Sequence, residues 1–148
     1  MKLRPATLDD VPTLMTLEKH HVTAAHWSGE QYQAVFSPSQ ISRIALVIED
    51  GGAIQGFLMA RGVDSEWELE NIVIADPARR RGLGTRLLGE FLNTARSRGA
   101  TAVFLEVRES NSAAHYLYEK LAFLESGRRA NYYHDPEEAA IIYRLDFS

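Results

Sequence analysis

The chain has 148 residues, 45% of them hydrophobic and 24% charged, with no cysteine and a formal net charge of −4. That length suits one globular domain spanning residues 1–148, and the lack of cysteine excludes disulfides, thiolate metal sites and a cysteine nucleophile. No run approaches the roughly 18 apolar residues of a membrane span. The charge is too mild for nucleic acid as a global partner, and the opening Met1-Lys2-Leu3-Arg4-Pro5 lacks the apolar core of a signal peptide, so a cytoplasmic protein is expected.

Residues 2–5 read as a short strand. Thr7 with Asp10 three residues on, then Val11, Leu14 and Leu17/Glu18 at helical spacing, predict a capped first helix. Ser28 with Gln31 opens a second, which ends before Ser37-Pro38. Arg43 to Asp50 is a β-branched-rich strand, Gly51-Gly52 a tight turn, and Ala53 to Arg61 the hairpin partner. Glu66 to Ala75 is a fourth strand. After Asp76-Pro77 the period changes: Leu83, Leu87, Leu88, Phe91, Leu92 and Ala95 form a helical stripe that Gly99 stops. Thr101 to Arg108 is again strand. Asn111 or Ser112 caps a helix carrying Ala114, Leu117, Leu121 and Ala122, and strands around Phe123–Tyr133 and Ala139–Phe147 follow. The hairpins favour antiparallel neighbours and each strand–helix–strand step favours parallel ones, so a mixed sheet covered by helices is expected, an α/β fold.

Charge is sorted along the chain. Asp64 to Asp76 carries five acids and no base, whereas Arg79 to Arg98 carries six arginines and only Glu90 as an acid. Arginine makes up 13 of the 16 basic residues and suits bidentate contact with phosphate. Within this stretch, Arg79-Arg80-Arg81-Gly82-Leu83-Gly84-Thr85 stands between a strand and a helix. Glycines there admit a phosphate to the main chain, and the helix dipole adds about half a positive charge. The alternative is a tight turn with solvated arginines, but three adjoining arginines favour anion binding. A Walker loop is absent, and a dinucleotide fingerprint needs glycine at position 87, which is leucine.

These residues resemble the GNAT superfamily of N-acetyltransferases, whose acyl-coenzyme A motif Q/R-x-x-G-x-G/A matches Arg79 to Gly84 position for position. Within it the likeness is strongest to bacterial ribosomal-protein-alanine N-acetyltransferases of the RimI type. It rests on Asn71-Ile72-Val73-Ile74, Leu105-Glu106-Val107-Arg108-Glu109-Ser110-Asn111, Leu117 to Phe123, and Arg128-Arg129-Ala130-Asn131-Tyr132-Tyr133. Two departures are Ala122, where the family usually has glycine, and Ala130, which interrupts an Arg-Arg-Asn-Tyr-Tyr run. The resemblance implies a single-domain GNAT fold, with a mixed, mostly antiparallel sheet of about seven strands flanked by about four helices. It implies acetyl-CoA as co-substrate, held by Arg79 to Thr85, by the main chain of Ile72, Val73 and Ile74, and by Asn111.

For catalysis, Glu106 is the candidate base, a carboxylate in an apolar strand, which is costly without a purpose. The alternative is an outward-facing position paired with an arginine. Tyr118 is the candidate acid: with Asn111 and His115 it falls at i, i+4 and i+7 on one helix face, and the resemblance implies its hydroxyl beside the coenzyme sulfur. A phenol pKa near 10 keeps it protonated at neutral pH. The alternatives are a packing aromatic for Tyr118 and a simple helix cap for Asn111. His115 is read as a bystander. Glu68 or Glu70, in the ladder with Glu66, is an alternative base or an attractor for a cationic acceptor, and a solvated acidic face is the bland alternative. Trp27, Tyr132 and Tyr133 are candidate walls of an acceptor channel. The expected acceptor is a protein N-terminal α-amine, possibly of a ribosomal protein; the alternatives are a small amine or a non-catalytic acyl-CoA sensor. No metal, nucleic acid or membrane partner is expected, and the chain is read as a monomer or dimer.

Overall fold

The computed structural model describes residues 1–19, 27–38, 41–75, 82–134 and 137–147. Its elements in chain order are β1 (Lys2–Pro5), α1 (Val11–Lys19), α2 (Gly29–Phe36), β2 (Arg43–Asp50), β3 (Ala53–Val63), β4 (Glu66–Ile74), α3 (Leu83–Ser97), β5 (Ala102–Arg108), α4 (Ser112–Lys120), β6 (Leu124–Tyr133) and β7 (Glu138–Asp146). Both expected caps form. A 3-10 turn over Leu8–Asp10 leads into α1, and the Asp10 carboxylate accepts from the Thr7 amide at 2.7 Å. Ser28 and Gln31 exchange reciprocal hydrogen bonds at the start of α2, as a capping box requires.

The seven strands form one sheet in the order β1-β2-β3-β4-β5-β7-β6. Only β4 and β5 pair in parallel. The expectation that every strand–helix–strand step yields parallel neighbours therefore holds for β4–α3–β5 and fails twice. β1 and β2 pair antiparallel, and β7 inserts between β5 and β6. Burial explains the insertion. Ala139, Ala140, Ile141 and Tyr143 of β7 are buried, whereas β6 is exposed along almost its whole length. The apolar strand takes the place with two paired edges and the polar strand takes the rim.

Cores lie on both faces. Leu87, Leu88 and Phe91 of α3 pack with Ile44, Leu58, Leu69, Leu105, Tyr118 and Tyr143, each fully buried side chain of this size stabilising the fold by about 1.5–3 kcal/mol. Across the sheet, Val11 and Leu14 of α1 and Tyr32 and Val35 of α2 cover Val47, Phe57, Met59 and Val73. The β1–β4 half is thus sandwiched. In the β5–β7–β6 half the face away from α3 and α4 carries the half-buried Phe104, Glu106, Arg108, Ile142 and Arg144. Among the described residues no helix is long and apolar enough to cross a membrane.

Candidate active site

The site begins where two parallel strands part. β4 and β5 pair over Glu66–Ala102, Trp67–Val103 and Glu68–Phe104. Beyond that, β4 follows β3 to Ile74 and β5 follows β7 to Arg108. A bulge starts the divergence: Met59 faces Asn71 and Ala60 faces Leu69, which leaves Glu70 without an opposite residue. The extra residue bends the strand and reverses its side-chain parity. Trp67 and Leu69 therefore join the α3-side core, while Val73 joins the α1-side core. Gly56 opposite Ile74 permits the close approach there, since a Cβ would stand 2.7 Å from Ile74 Cδ1 and 2.9 Å from the Val73 carbonyl oxygen. The facing edges of residues 69–74 and 105–108 pair with no other strand among the described residues. An extended molecule bearing amides can use such edges.

At the β4 end of this cleft stands the start of α3. Gly82 is its N-cap, in the left-handed region at φ 78° with no side-chain cap. The first-turn amides of Leu83, Gly84 and Thr85 have no intrahelical acceptors, and the dipole favours an anion before them. A Cβ on Gly84 would meet Leu117 at 3.4 Å and Ile74 at 3.8 Å, so the helix start is wedged between the end of β4 and α4. The expected pyrophosphate ligands Arg79, Arg80 and Arg81 lie outside the described residues.

Tyr118 on α4 is buried at 4% exposure, its ring packed on Phe123 at 5.7 Å and Tyr143 at 5.8 Å. Burial, then the neighbouring Tyr133, raises its pKa above the ordinary 10, which keeps the phenol protonated. Its hydroxyl has no hydrogen-bond partner among the described residues. A buried donor without an acceptor is costly, and a ligand atom taking that proton would offset the cost. Asn111 caps α4, its Oδ1 accepting from the Ala114 amide at 3.2 Å.

Glu106 alternates with buried Leu105 and Val107 and so points to the open face. It is both an outward strand position and arginine-paired, for Arg129 Nη1 lies 3.4 Å from Glu106 Oε1. Tyr133 links the two candidate catalytic groups. Burial first, and then the Glu106 charge, push its phenol up to about 12, while Tyr133 in turn raises Tyr118. Arg108 lies 4.4 Å over the Tyr133 ring and 3.6 Å from Glu138. Tyr132 is exposed and edge-on to Tyr133 at 5.1 Å.

The acidic ladder is claimed by arginines: Glu66 by Arg144 at 2.6 Å, Glu68 by Arg61 at 2.9 Å and Glu70 by Arg43 at 2.5 Å. Burial raises the Glu70 carboxyl above its usual range and Arg43 opposes it. Trp27 packs on Tyr32 at 5.4 Å, and its amide donates to Glu18 at 2.6 Å. A concavity of about 490 Å³ between β1, α2 and the far end of α3 lies away from the cleft. Its arginines are engaged: Arg4 with Asp10 and Glu49, Arg43 with Glu70, and Arg98 with the Arg43 carbonyl.

Two residues prove more connected than their sequence positions suggest. Glu18, 2% exposed, accepts from the Trp27 amide, from Tyr32 Oη at 2.8 Å and from Asn71 Nδ2 at 3.3 Å, tying α1 and α2 to β4 beside the bulge. An acid on the apolar stripe of α1 was the signal for it. His115 bonds Tyr143 Oη at 2.7 Å through Nδ1 and the carbonyls of Arg108 and Glu109 at 3.1 and 3.0 Å through Nε2. Carbonyls only accept, so Nε2 carries the proton, and α4 is pinned to the end of β5.

The acetyltransferase (GNAT) family profile matches residues 12–123. The chain is 34% identical over 142 residues to the [ribosomal protein bS18]-alanine N-acetyltransferase of Escherichia coli (strain K12), covering 94% of this chain and 93% of that protein. It is 29% identical over 140 residues to the putative [ribosomal protein bS18]-alanine N-acetyltransferase of Bacillus subtilis (strain 168), covering 95% and 91%. The crystal structure of the ribosomal-protein-S18-alanine N-acetyltransferase from Escherichia coli superposes with a TM-score of 0.84 at 31% identity, covering 99% of this chain and 94% of that one.

Proposed function

We propose the following for a chain that belongs to the acetyltransferase (GNAT) family and is an N-acetyltransferase. Residues 1–148 act as one domain that moves an acetyl group from acetyl-CoA to the α-amine of a protein N-terminus, an alanine-initiated one by likeness to its relatives. The observation carrying this reading is the parting of β4 and β5, with uncapped helix amides at the β4 end, Glu106 on β5, and on α4 a buried phenol that has no hydrogen-bond partner among the described residues. These groups fit the chemistry of the donor. The amides of Leu83, Gly84 and Thr85, joined by Arg79, Arg80 and Arg81, suit a diphosphate. The edge of Ile72, Val73 and Ile74 that pairs with no other strand among the described residues suits an amide-bearing arm, and Asn111 at the start of α4 offers it a side-chain amide.

Acetyl-CoA supplies a thioester whose carbonyl carbon forms a C–N bond with the amine as its C–S bond breaks. Glu106 takes the proton the amine must lose, and Tyr118 donates one to the departing sulfur, so protons balance across the step. Amine chemistry favours this acceptor. At pH 7, deprotonation costs roughly 1.4 kcal/mol for an α-amine of pKa near 8 and roughly 4.6 kcal/mol for a lysine near 10.4.

Calorimetry with acetyl-CoA tests the donor half: saturable heat with one site per chain is expected, and absence of heat rejects it. Mass spectrometry of an alanine-initiated peptide after incubation tests the acceptor half, expecting a single acetyl on the α-nitrogen.

A further inference from the structure

His115 joins the two elements that hold the proposed acid and base. Tyr118 lies on α4 and Asn111 caps it, whereas Glu106 lies on β5. The turn of Glu109 and Ser110 between them is closed by the Asn111 amide, which donates to the Arg108 carbonyl at 3.0 Å. His115 fastens the same turn, its Nε2 proton shared between the Arg108 and Glu109 carbonyls at 3.1 and 3.0 Å. With that proton on Nε2, Nδ1 accepts from the Tyr143 hydroxyl at 2.7 Å, closer than the 3.3 Å from that hydroxyl to Glu119 Oε2. The Tyr143 ring lies edge-on to His115 at 5.5 Å and tilted against Tyr118 at 5.8 Å, so one buried side chain of β7 touches both.

These bonds matter because α4 has only nine residues. A helix that short has little stability of its own, so tertiary contacts decide where it sits. Apolar contacts are non-directional and hold a helix to a sheet without fixing its rotation, whereas hydrogen bonds demand an angle as well as a distance. Tyr118 follows His115 by three residues, on the same helix face. Its hydroxyl must meet a departing sulfur within hydrogen-bond reach for its proton to transfer. We infer that His115 is a positioning residue for this acid. By tying the first turn of α4 to the end of β5, and by orienting Tyr143 against the Tyr118 ring, it sets the Tyr118 hydroxyl relative to Glu106. The inference rests on Tyr118 as the proton donor, and it gives His115 itself no contact with substrate.

The test is a double-mutant cycle on kcat, measured at saturating acetyl-CoA with an alanine-initiated peptide and well below the melting temperature of each protein. His115→Leu, which fills the space without the bonds, is expected to lower kcat about tenfold, the scale of a small misplacement. The peptide KM is expected to change less than about twofold. His115→Gln, whose amide donates where Nε2 does, is expected to recover most of kcat. Added to Tyr118→Phe, His115→Leu is expected to cost less than about twofold, because the group it positions is gone. Tyr143→Phe keeps the ring and removes the bond to Nδ1. A roughly threefold fall there, absent in the Tyr118→Phe background, supports the same coupling should His115→Leu not fold, and an unchanged kcat overturns it. Wild-type kcat in His115→Leu with only Tm reduced, or the full loss in both backgrounds, also overturns the inference and removes only the positioning role. Wild-type kcat in Tyr118→Phe alone removes the acid from Tyr118, and the inference with it.

Discussion

Glu70 and Glu106 occupy corresponding places, each two residues beyond the last parallel pair, Glu68–Phe104, on the two diverging strands. Their surroundings differ in one respect that decides their chemistry. Glu70 sits in the bulge and takes a 2.5 Å hydrogen bond from Arg43, which is 22% exposed and rooted in interior strand β2. Glu106 faces a cation from rim strand β6 that is 54% exposed and does not close to hydrogen-bond length. A carboxylate locked to an interior arginine positions strands. One with a displaceable partner can accept a proton. The β1–β4 half is thus clamped by Arg4–Asp10, Arg43–Glu70 and Arg61–Glu68, and among the described residues no helix covers one face of the β5–β7–β6 half.

The sharpest way to break this contrast is to remove each carboxylate in turn. Glu106→Gln is expected to lower kcat by about 10²–10⁴, the range for losing a general base, while Glu70→Gln lowers it less than about fivefold because its role is structural. Steady-state kinetics with an alanine-initiated peptide decides. The reverse ranking would move the base to β4 and cancel the comparison.

The clamped half makes a pH-dependent prediction. Asp10, its side chain 11% exposed, accepts from both Arg4 terminal nitrogens at 2.9 Å and from the Thr7 amide. Hydrogen bonding from Arg4 holds its carboxyl below the ordinary 3.8, burial opposing. Asp10→Asn is expected to cost about 2 kcal/mol at pH 7, or roughly 4–8 °C in Tm for a chain of this length. A lowered folded-state pKa stabilises above the unfolded value, and that contribution is lost as pH falls through the folded one. The gap between wild type and variant therefore stays constant above about pH 5 and closes in more acidic solution. Thermal melts from pH 2 to 7 show this, with turnover at pH 7 unaffected below the melting range.

How far the sequence carried this picture depends on what each feature is made of. Periodicity and caps put nearly every strand and helix within two residues of its observed bounds, because α3 and the hairpins obey local rules. The glycine turn and the β5–α4 segment named the candidate site for the same reason. Strand order did not follow from local rules, since β7 enters between β5 and β6 on the strength of its burial. The bulge at Glu70 is equally silent: one unpaired residue carries no composition signal, yet it separates the strands. The partner of Glu106 was out of reach because Arg129 approaches across β7, and pairings between distant strands are not written in spacing. His115 looked idle because its partners are main-chain carbonyls and a tyrosine 28 residues on.

The smallest effect concerns Ala122, one of the two departures from the family pattern. It ends α4 at φ 71°, in the left-handed region that costs a non-glycine residue roughly 1–2 kcal/mol. The turn keeps both of its bonds, with the Phe123 amide donating to the Tyr118 carbonyl at 3.0 Å and the Ala122 amide to that of Glu119 at 3.1 Å. Those bonds form a Schellman cap, and the accompanying ring contact sets Phe123 against Tyr118 at 5.7 Å. The strain thus sits directly beneath the proposed acid, on the half of the molecule argued to serve chemistry. Ala122→Gly relieves it but gains chain freedom when unfolded, at about 0.4–1 kcal/mol. Stability is expected to rise by about 0.5–1 kcal/mol, a Tm gain of roughly 1–4 °C. Because Ala122 is exposed, the methyl group is lost from the surface and not from the core, and kcat is expected to stay within about twofold. A gain in stability accompanied by a large fall in kcat would show instead that the strained turn holds Tyr118 in its working position.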